Sequence, residues 1–242
     1  MGSRLWLAAA LAVFALTLAP SGVAALASED AAVKLPASFP AAGEILRTQV
    51  TVRAEPDPKA KVVRVLKQFR PTDFRLQIVL ALEARRGTDG RWWYKLSLPQ
   101  RPNGQRGWVR ASSVGVKPVG NRVVVYRGAR RLEVRRIADG KLLFRTVVAV
   151  GKPGAETPLG RNFYVTSRFV PLNTFLGVFA LETSAYSRLT DWPGGGVAGI
   201  HGTYLTELLG QAVSSGCVRL SNEAILRVKK LAPLGTPIDI LP

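Results

Sequence analysis

Two residues of this sequence stand out because each is the single representative of a reactive side-chain type. His201 is the only histidine and Cys217 the only cysteine among 242 residues, and they lie 16 positions apart. A thiol at neutral pH is only a few per cent thiolate, so a nucleophilic cysteine needs a base. An imidazole that titrates near 6.5 is a natural supplier. The pair therefore predicts acyl transfer, with Cys217 as nucleophile and His201 as its base.

The neighbouring glycines support this chemistry, although each residue alone also has an ordinary structural explanation. Gly216 removes a Cβ that would obstruct a substrate carbonyl, and it allows backbone N–H groups to face a tetrahedral oxyanion. Taken singly, a free cysteine often packs as a small hydrophobic residue. A zinc site is poorly supported, because one His and one Cys leave two of the usual four positions unfilled. We therefore expect neither a metal nor another cofactor.

The segments around both residues strongly resemble the L,D-transpeptidase catalytic domain, also called the YkuD domain. The matching segments are residues 123–126, 157–160, 200–203, 209–210 and 214–222. The resemblance covers residues 120–242 and implies a β-sandwich of mixed sheets, with the cysteine under a partial cap and one helix after it. One position departs from the family pattern, because Ser215 stands where the family usually has His.

The resemblance also implies a role for each residue of the motif. Cys217 and His201 are the expected catalytic residues, and the backbone amide of Cys217 is the expected oxyanion donor. The residues expected to shape the oxyanion pocket and to orient the imidazole are Ser214, Ser215 and Gly216, with Ser215 acting through its backbone carbonyl. The residues expected to contact the substrate are Gly202, Thr203, Arg219 and Asn222. A structural ion pair remains the alternative for Arg219, and a helix cap the alternative for Asn222.

The substrate that the resemblance implies is a peptidoglycan stem peptide whose third residue is a diamino acid followed by D-Ala. Attack by Cys217 would release D-Ala and leave a thioester, which the side-chain amine of a second stem would resolve into a cross-link between two third residues. No cofactor is needed, because the energy of the old peptide bond carries into the new one. An L,D-carboxypeptidase that uses water as acceptor and a non-catalytic wall-binding protein remain open alternatives.

The first residues of the chain predict export. Residues 1–27 read as a signal peptide, with Arg4 before the apolar stretch 5–18 and an Ala-x-Ala exit at 25–27. This apolar stretch is shorter than the roughly 20 residues that are needed to span a bilayer. We expect cleavage before Ser28, a periplasmic or cell-wall location and no membrane span afterwards, with an uncleaved anchor as the alternative.

The strongly basic composition predicts an anionic partner. The formal net charge is +18, and export makes anionic cell-envelope polymers a better match than nucleic acid. The four basic pairs of the sequence also lack the aromatic stacking platforms of single-strand binders. We therefore expect no nucleic-acid partner.

The chain divides into a linker and two mainly β domains. Residues 28–41 are rich in Ala and Pro and predict a linker. Residues 42–118 contain short apolar runs with Asp-Gly and Asn-Gly turns, which predict a small barrel. The predicted strands are residues 49–53, 62–66, 78–82, 92–98 and 108–109. The segments 52–56, 90–96 and 107–109 resemble the bacterial Src-homology-3-like domain, with an atypical insertion at residues 68–75.

The aromatic residues Trp92, Trp93, Tyr94 and Trp108 of this first domain form either a recognition surface or part of its core. In the second domain, residues 120–242, we predict strands at 122–126, 132–137, 141–150, 162–166 and 237–241. Residues 167–198 read as irregular, and the glycines 194–196 indicate a mobile lid. Asn222 is a candidate N-cap of a helix that Pro233 ends, and the start of this helix would lower the pKa of Cys217.

Overall fold

The computed structural model describes residues 33–191 and 195–242, which form a mainly β protein with one α-helix in the described part. The predicted signal peptide, the start of the predicted linker and the first glycine of the predicted lid lie outside the described residues. Within residues 33–191 and 195–242, no helix is long and apolar enough to span a bilayer.

The N-terminal half forms one antiparallel sheet. Its strands are β1 (Ala41–Ile45), β2 (Gln49–Arg53), β3 (Val62–Lys67), β4 (Ile78–Arg86), β5 (Trp92–Ser97), β6 (Arg106–Arg110) and β7 (Val114–Pro118). They are hydrogen-bonded in the order β3-β2-β6-β5-β4-β1-β7. All five strands predicted for this half are present, and β1 and β7 are additional. The resemblance to a Src-homology-3-like barrel stays a prediction.

The four aromatic residues of the predicted cluster are mostly buried, but only Tyr94 among them belongs to the hydrophobic core cluster of this half. Trp93, Tyr94 and Trp108 are each only 2% exposed, while Trp92 is half-buried and packs against the same core. The indole N–H of Trp93 donates to Asp89 at 3.2 Å, so its polar edge is satisfied inside the fold. Three of the four rings are therefore not available as a recognition surface.

The C-terminal half is built on a mixed sheet of eight strands. All strands of this half are β8 (Asn121–Tyr126), β9 (Arg131–Arg136), β10 (Leu142–Val147), β11 (Val150–Gly151), β12 (Gly160–Phe169), β13 (Ala180–Thr183), β14 (Ile200–Thr203), β15 (Ala212–Ser214), β16 (Val218–Ser221) and β17 (Pro237–Leu241). The order of the large sheet is β10-β9-β8-β17-β12-β13-β14-β16, and β11 pairs separately with β15. The pairs β8/β17 and β14/β16 are parallel.

The long strand β12 joins the two parts of this sheet. Its first residues pair with β17 and its last residues with β13, with irregular register on both sides. Apolar residues of both parts, such as Val123 on β8 and Ile200 on β14, belong to one buried cluster. The core therefore forms between the two parts of the sheet, as in the predicted sandwich of mixed strands.

Two stretches of the C-terminal half differ from the sequence prediction. The predicted strand 141–150 is divided, because β10 ends at Val147 and Val150 pairs with β15 instead. Residues 167–198 are not uniformly irregular, since they contain the end of β12, a 3-10 turn at Thr174–Leu176 and β13. Long-range pairing supplies the strands that the local pattern did not indicate.

The helix α1 (Asn222–Leu231) packs its apolar side on the core, as predicted, through Ala224, Ile225 and Val228. Its N-cap is Ser221, whose hydroxyl oxygen accepts the N–H of Ala224 at 3.1 Å. Asn222 is the first helical residue, so its predicted capping role is wrong by one position. Its side chain is engaged elsewhere, as described below.

The two halves of the chain contact each other through polar groups. Tyr164 of β12 is fully buried and donates its hydroxyl to the carbonyl of Ile78 at 3.2 Å. Asn103 exchanges hydrogen bonds with the backbone of Tyr186 at 2.8 and 3.0 Å. Arg101 donates to backbone carbonyls of the segment 187–195. The N-terminal half is therefore fixed against the C-terminal half beside β12 and β13.

Candidate active site

His201 and Cys217 lie next to each other on one face of the C-terminal sheet. The parallel strands β14 and β16 pair in a register that sets Ile200 opposite Val218 and His201 opposite Arg219. At the preceding position of each strand, Gly199 lies opposite Cys217. Side chains of directly paired residues, and of residues two positions apart on one strand, share a face. The imidazole and the thiol are therefore diagonal neighbours on the same side of the sheet, and both line one cavity.

The sulfur of Cys217 rests over a residue without a side chain. The N–H of Gly199 donates to Cys217 Sγ at 3.4 Å, and a Cβ on Gly199 would lie 3.8 Å from the sulfur. Burial raises the pKa of the Cys217 thiol, against the opposing effects of this hydrogen bond and of the charge on Arg219. In this structure the thiol is therefore neutral at pH 7.

The predicted influence of the helix on the thiol is wrong. Strand β16 separates Cys217 from the helix cap at Ser221. Four extended residues cover about 13 Å, whereas the field of a helix end falls off within about one turn. Burial, rather than the helix, decides the protonation state of Cys217.

His201 is buried as a neutral, oriented base. Its side chain is 2% exposed, and Nδ1 lies 2.7 Å from the carbonyl oxygen of Gly202. A carbonyl only accepts, so this contact places the proton on Nδ1 and leaves Nε2 with its lone pair. Burial lowers the pKa of His201 to about 4, with a smaller contribution from the charge of Arg219 and against the hydrogen bond to Gly202. The imidazole is therefore neutral at pH 7.

The carbonyl that orients the imidazole belongs to Gly202 and not to Ser215. The prediction for Ser215 needs this correction, because the residue that follows His201 on β14 already supplies the acceptor. Gly202 allows a close approach on its other side, where an added Cβ would lie 2.4 Å from Asn222 Oδ1. Ser215 itself is half-buried in the turn before Cys217.

Ser214 and Gly216 build the turn that presents Cys217. The Ser214 hydroxyl donates to the carbonyl of Cys217 at 2.6 Å and accepts the N–H of Gly216 at 3.2 Å. Gly216 has a φ of +112°, and a Cβ there would lie 2.8 Å from Ser187 Cβ. The Gly216 N–H is therefore used inside the turn, which leaves the amide of Cys217 as the candidate oxyanion donor.

Arg219 contacts an aromatic ring that the sequence did not single out. Its guanidinium lies 5.6 Å from the centre of the Phe175 ring, and this ring stacks on His201 with centroids 6.4 Å apart. No carboxylate among the described residues pairs with Arg219, and its Nε is buried without a partner there. The alternative of a structural ion pair is thus not supported. Phe175 carries no motif signal, because it lies in the stretch that read as irregular.

The remaining predicted contact residues hold the loop and strand behind the pair. Thr203 accepts the N–H of Leu205 at 3.1 Å, and Asn222 Oδ1 accepts the N–H of Val178 at 3.1 Å. Neither residue lines the cavity that contains the thiol, and the same holds for Gly202 and Arg219. Their contacts are structural, and a direct contact with substrate stays a prediction.

The cavity over His201 and Cys217 has a volume of about 720 Å³ and walls from both halves of the chain. This size suits a ligand larger than a single amino acid. The residues of the N-terminal half that line it are Arg64, Leu66, Arg70, Pro71, Thr72, Asp73, Gln77 and Pro99. Most of them belong to or adjoin residues 68–75. Among the described residues, no group of three or more His, Cys, Asp or Glu side chains is arranged to hold a metal ion.

A cluster of charged residues lies on β9 and β10. The carboxylate of Glu133 is fully buried and contacts Arg131 at 3.1 Å, Arg135 at 2.6 Å and Arg145 at 2.9 Å. Three guanidinium groups around one carboxylate leave a local excess of two positive charges. This basic patch belongs to the C-terminal half and is separate from the residues that line the cavity.

A histidine that a backbone carbonyl orients and a cysteine, both of the C-terminal half, thus line one cavity. The family model of the L,D-transpeptidase catalytic domain, YkuD, matches residues 120–240. The chain belongs to this family.

The curated relatives match the same half of the chain. The putative L,D-transpeptidase YkuD of Bacillus licheniformis is 33% identical over 122 residues, which are 49% of this chain and 67% of the relative. The protein of the same name from Bacillus subtilis is 31% identical over 118 residues, 49% of this chain and 64% of the relative. The chain thus spans about two thirds of the length of these relatives.

Solved structures of L,D-transpeptidases are also similar. One from Mycobacterium smegmatis has a TM-score of 0.44 at 15% identity, covering 62% of this chain and 90% of its own. One from Mycobacterium tuberculosis has a TM-score of 0.45 at 14% identity, covering 84% of this chain and 98% of its own.

Proposed function

We propose that this chain is a peptidoglycan L,D-transpeptidase that cross-links the third residues of two stem peptides through a thioester on Cys217. The observation that carries the proposal is the placement of His201 and Cys217 on one face of adjacent parallel strands, inside one open cavity. The membership of residues 120–240 in the L,D-transpeptidase family supports the choice of substrate.

The first half-reaction forms the thioester. His201 Nε2 accepts the thiol proton while Cys217 Sγ attacks the carbonyl carbon of the third residue of the donor stem. The backbone amide of Cys217 donates to the developing oxyanion. The C–N bond to D-Ala then breaks, and His201 returns the proton to the leaving amine. Because the pKa values of the thiol and the imidazole both favour neutral groups, proton transfer accompanies the attack and does not precede it.

The second half-reaction forms the cross-link. The neutral side-chain amine of a second stem attacks the thioester carbonyl, and His201 accepts a proton from this amine. The C–S bond breaks, and the sulfur leaves as thiolate and recovers the proton from His201. The new amide bond replaces the old one, so the two half-reactions together balance without a metal, a nucleotide or a redox partner.

A product analysis tests this proposal. Wild-type protein with purified disaccharide tetrapeptides should release D-Ala and form a cross-linked dimer, and an intermediate mass should show the donor attached to Cys217. Cys217→Ala should form neither product. Free tripeptide without dimer would instead establish an L,D-carboxypeptidase, and unchanged substrate would establish a wall-binding protein. Undiminished D-Ala release by Cys217→Ala would exclude Cys217 as the nucleophile.

We further propose that the chain contacts anionic cell-envelope polymers after export. The net charge of +18 and the basic patch around Glu133 support this partner class. A peptidoglycan substrate also agrees with the signal peptide expected at residues 1–27.

A further inference from the structure

The N-terminal half supplies charged groups to the cavity that contains the thiol. Arg70 and Asp73 come from the segment between β3 and β4, and both line the cavity together with Glu182 of β13. This segment includes the predicted insertion at residues 68–75. If the N-terminal half were only a spacer, charged groups from it would not be expected in this cavity.

Glu182 and Cys217 lie on strands on either side of β14. Strands β13 and β14 pair with Ala180 opposite His201 and Leu181 opposite Ile200, and Glu182 is the next residue of β13, on the same face as Ala180. Gly199 lies opposite Cys217. Two strand spacings separate the backbones of Glu182 and Cys217 by about 10 Å. Gly199, which directly precedes the intervening strand, has no side chain, and Glu182 and Cys217 line the same cavity.

Arg70 holds the carboxylate of Glu182 in place. Its Nη2 lies 2.7 and 2.9 Å from the two carboxylate oxygens of Glu182, and its Nε lies 3.1 Å from Asp73. The side chains of Glu182 and Asp73 remain 27% and 30% exposed, while Arg70 is only 13% exposed. A carboxylate offers about four acceptor positions, so Glu182 retains capacity for a further donor from the cavity.

The free acceptor capacity of Glu182 selects the ligand. The charged side chains that line the cavity are Arg64, Arg70, Asp73 and Glu182, so two cations and two carboxylates balance there. The partly exposed carboxylate of Glu182 attracts a nearby ammonium group and repels a carboxylate. The substrate of the proposed reaction carries such an ammonium on the side chain of its third residue, close to the carbonyl that Cys217 attacks.

We propose that Glu182 binds the side-chain ammonium of the stem peptide beside Cys217, and that Arg70 of the N-terminal half positions the Glu182 carboxylate for this contact. The inference rests on the proposed function for the identity of the peptide. It assigns the N-terminal half a direct part in substrate selection. The ammonium belongs either to the donor or to the acceptor stem, since both carry the same group. An acceptor bound in this way gives one proton to water before its neutral amine attacks the thioester.

Equilibrium binding to the Cys217→Ala protein tests the site without turnover. The probes are a disaccharide tetrapeptide with a free side-chain amine and the same compound acetylated at that amine. The parent protein should prefer the free amine by roughly 10- to 100-fold. Glu182→Gln should abolish this preference, and Arg70→Gln should reduce it. Because Cys217 is absent throughout, the result does not depend on which residue is the nucleophile.

The matched control is Arg101→Gln. Arg101 also joins the two halves, through the carbonyls of Ser187, Leu189 and Gly195, but it does not line the cavity. This variant should keep the full preference for the free amine. A preference that survives Glu182→Gln, or that Arg101→Gln reduces as much as Arg70→Gln does, would show that the Arg70–Glu182 pair only ties the halves together.

Kinetic measurements on the protein with Cys217 intact show whether the bound ammonium belongs to the donor or to the acceptor stem. If it belongs to the donor, Glu182→Gln raises KM for D-Ala release measured without acceptor. If it belongs to the acceptor, thioester formation is unchanged and KM for the acceptor rises by roughly the same 10- to 100-fold. Either result supports the site, and no change in either measurement overturns it.

Discussion

The protonation of His201 can be followed directly as pH is varied, because it is the only histidine of the chain. Burial lowers its pKa from 6.5 to about 4. At 1.36 kcal/mol per pH unit, this difference corresponds to about 3 kcal/mol of stability. The unfolded chain binds the proton first as pH falls, so this stability is complete above pH 6.5. It decreases below pH 6.5 and is lost when the pH reaches about 4.

The assay is a nuclear magnetic resonance titration of the single imidazole from pH 3.5 to 8. We expect a midpoint near 4 in the folded protein and near 6.5 in concentrated urea. Urea unfolding at pH 7 and pH 4.5 should show a loss of stability in the wild type that is about 2 to 3 kcal/mol larger than in His201→Gln. Carboxylates titrate in both proteins, so subtracting one loss of stability from the other removes their contribution.

A folded-state midpoint at or above 6.5 would refute this reasoning. It would show that the imidazole is stabilised as a cation, most simply by a thiolate on Cys217. The titration of Cys217→Ala distinguishes the two explanations. If a thiolate holds the proton on His201, the midpoint falls in this variant, whereas burial alone leaves it unchanged.

Three further predictions concern the turn, the helix cap and the thiol. Gly216→Ala should cost about 1–3 kcal/mol in urea unfolding and slow thioester formation, because Gly216 has a positive φ and no room for a Cβ. Gly140→Ala, also at positive φ but in open space, should leave thioester formation unchanged. Ser221→Ala should lower the stability by about 1 kcal/mol through loss of the cap. Asn222→Ala should leave the helical circular dichroism intact. A larger loss of helix in Asn222→Ala than in Ser221→Ala would contradict the assignment of Ser221 as the cap. Iodoacetamide should alkylate Cys217 with a midpoint above the ordinary thiol value of about 8.5, because burial raises its pKa; a midpoint below 8 would show a stabilised thiolate.

The family motif around Cys217 and the helix could be predicted from sequence because their determinants are local. The segment 214–222 specifies both the turn before Cys217 and the start of α1, and the spacing of apolar residues sets the buried face of the helix. The cap was misplaced by one residue because Ser221 and Asn222 are both good capping residues. The choice between them depends on the contact of Asn222 with Val178, 44 positions earlier in the chain.

The electrostatics of the pair and the second wall of the cavity could not be predicted from sequence. The pKa values of Cys217 and His201 follow from burial, which depends on the packing of the whole half. The contact of Arg70 with Glu182 joins residues 112 positions apart. A local sequence pattern does not reveal which surface the segment 68–75 faces.

The buried hydroxyl of Tyr164 has a consequence for how the two halves can be separated or exchanged. A version of the chain reduced to residues 120–242 would expose this ring to water and leave its hydroxyl without the Ile78 carbonyl. Exchange of the first half for an unrelated module would need a matching acceptor at the same place. Because the acceptor is a main-chain carbonyl, a substitution of Ile78 that keeps strand β4 in place should preserve this hydrogen bond, whereas loss of the strand would not.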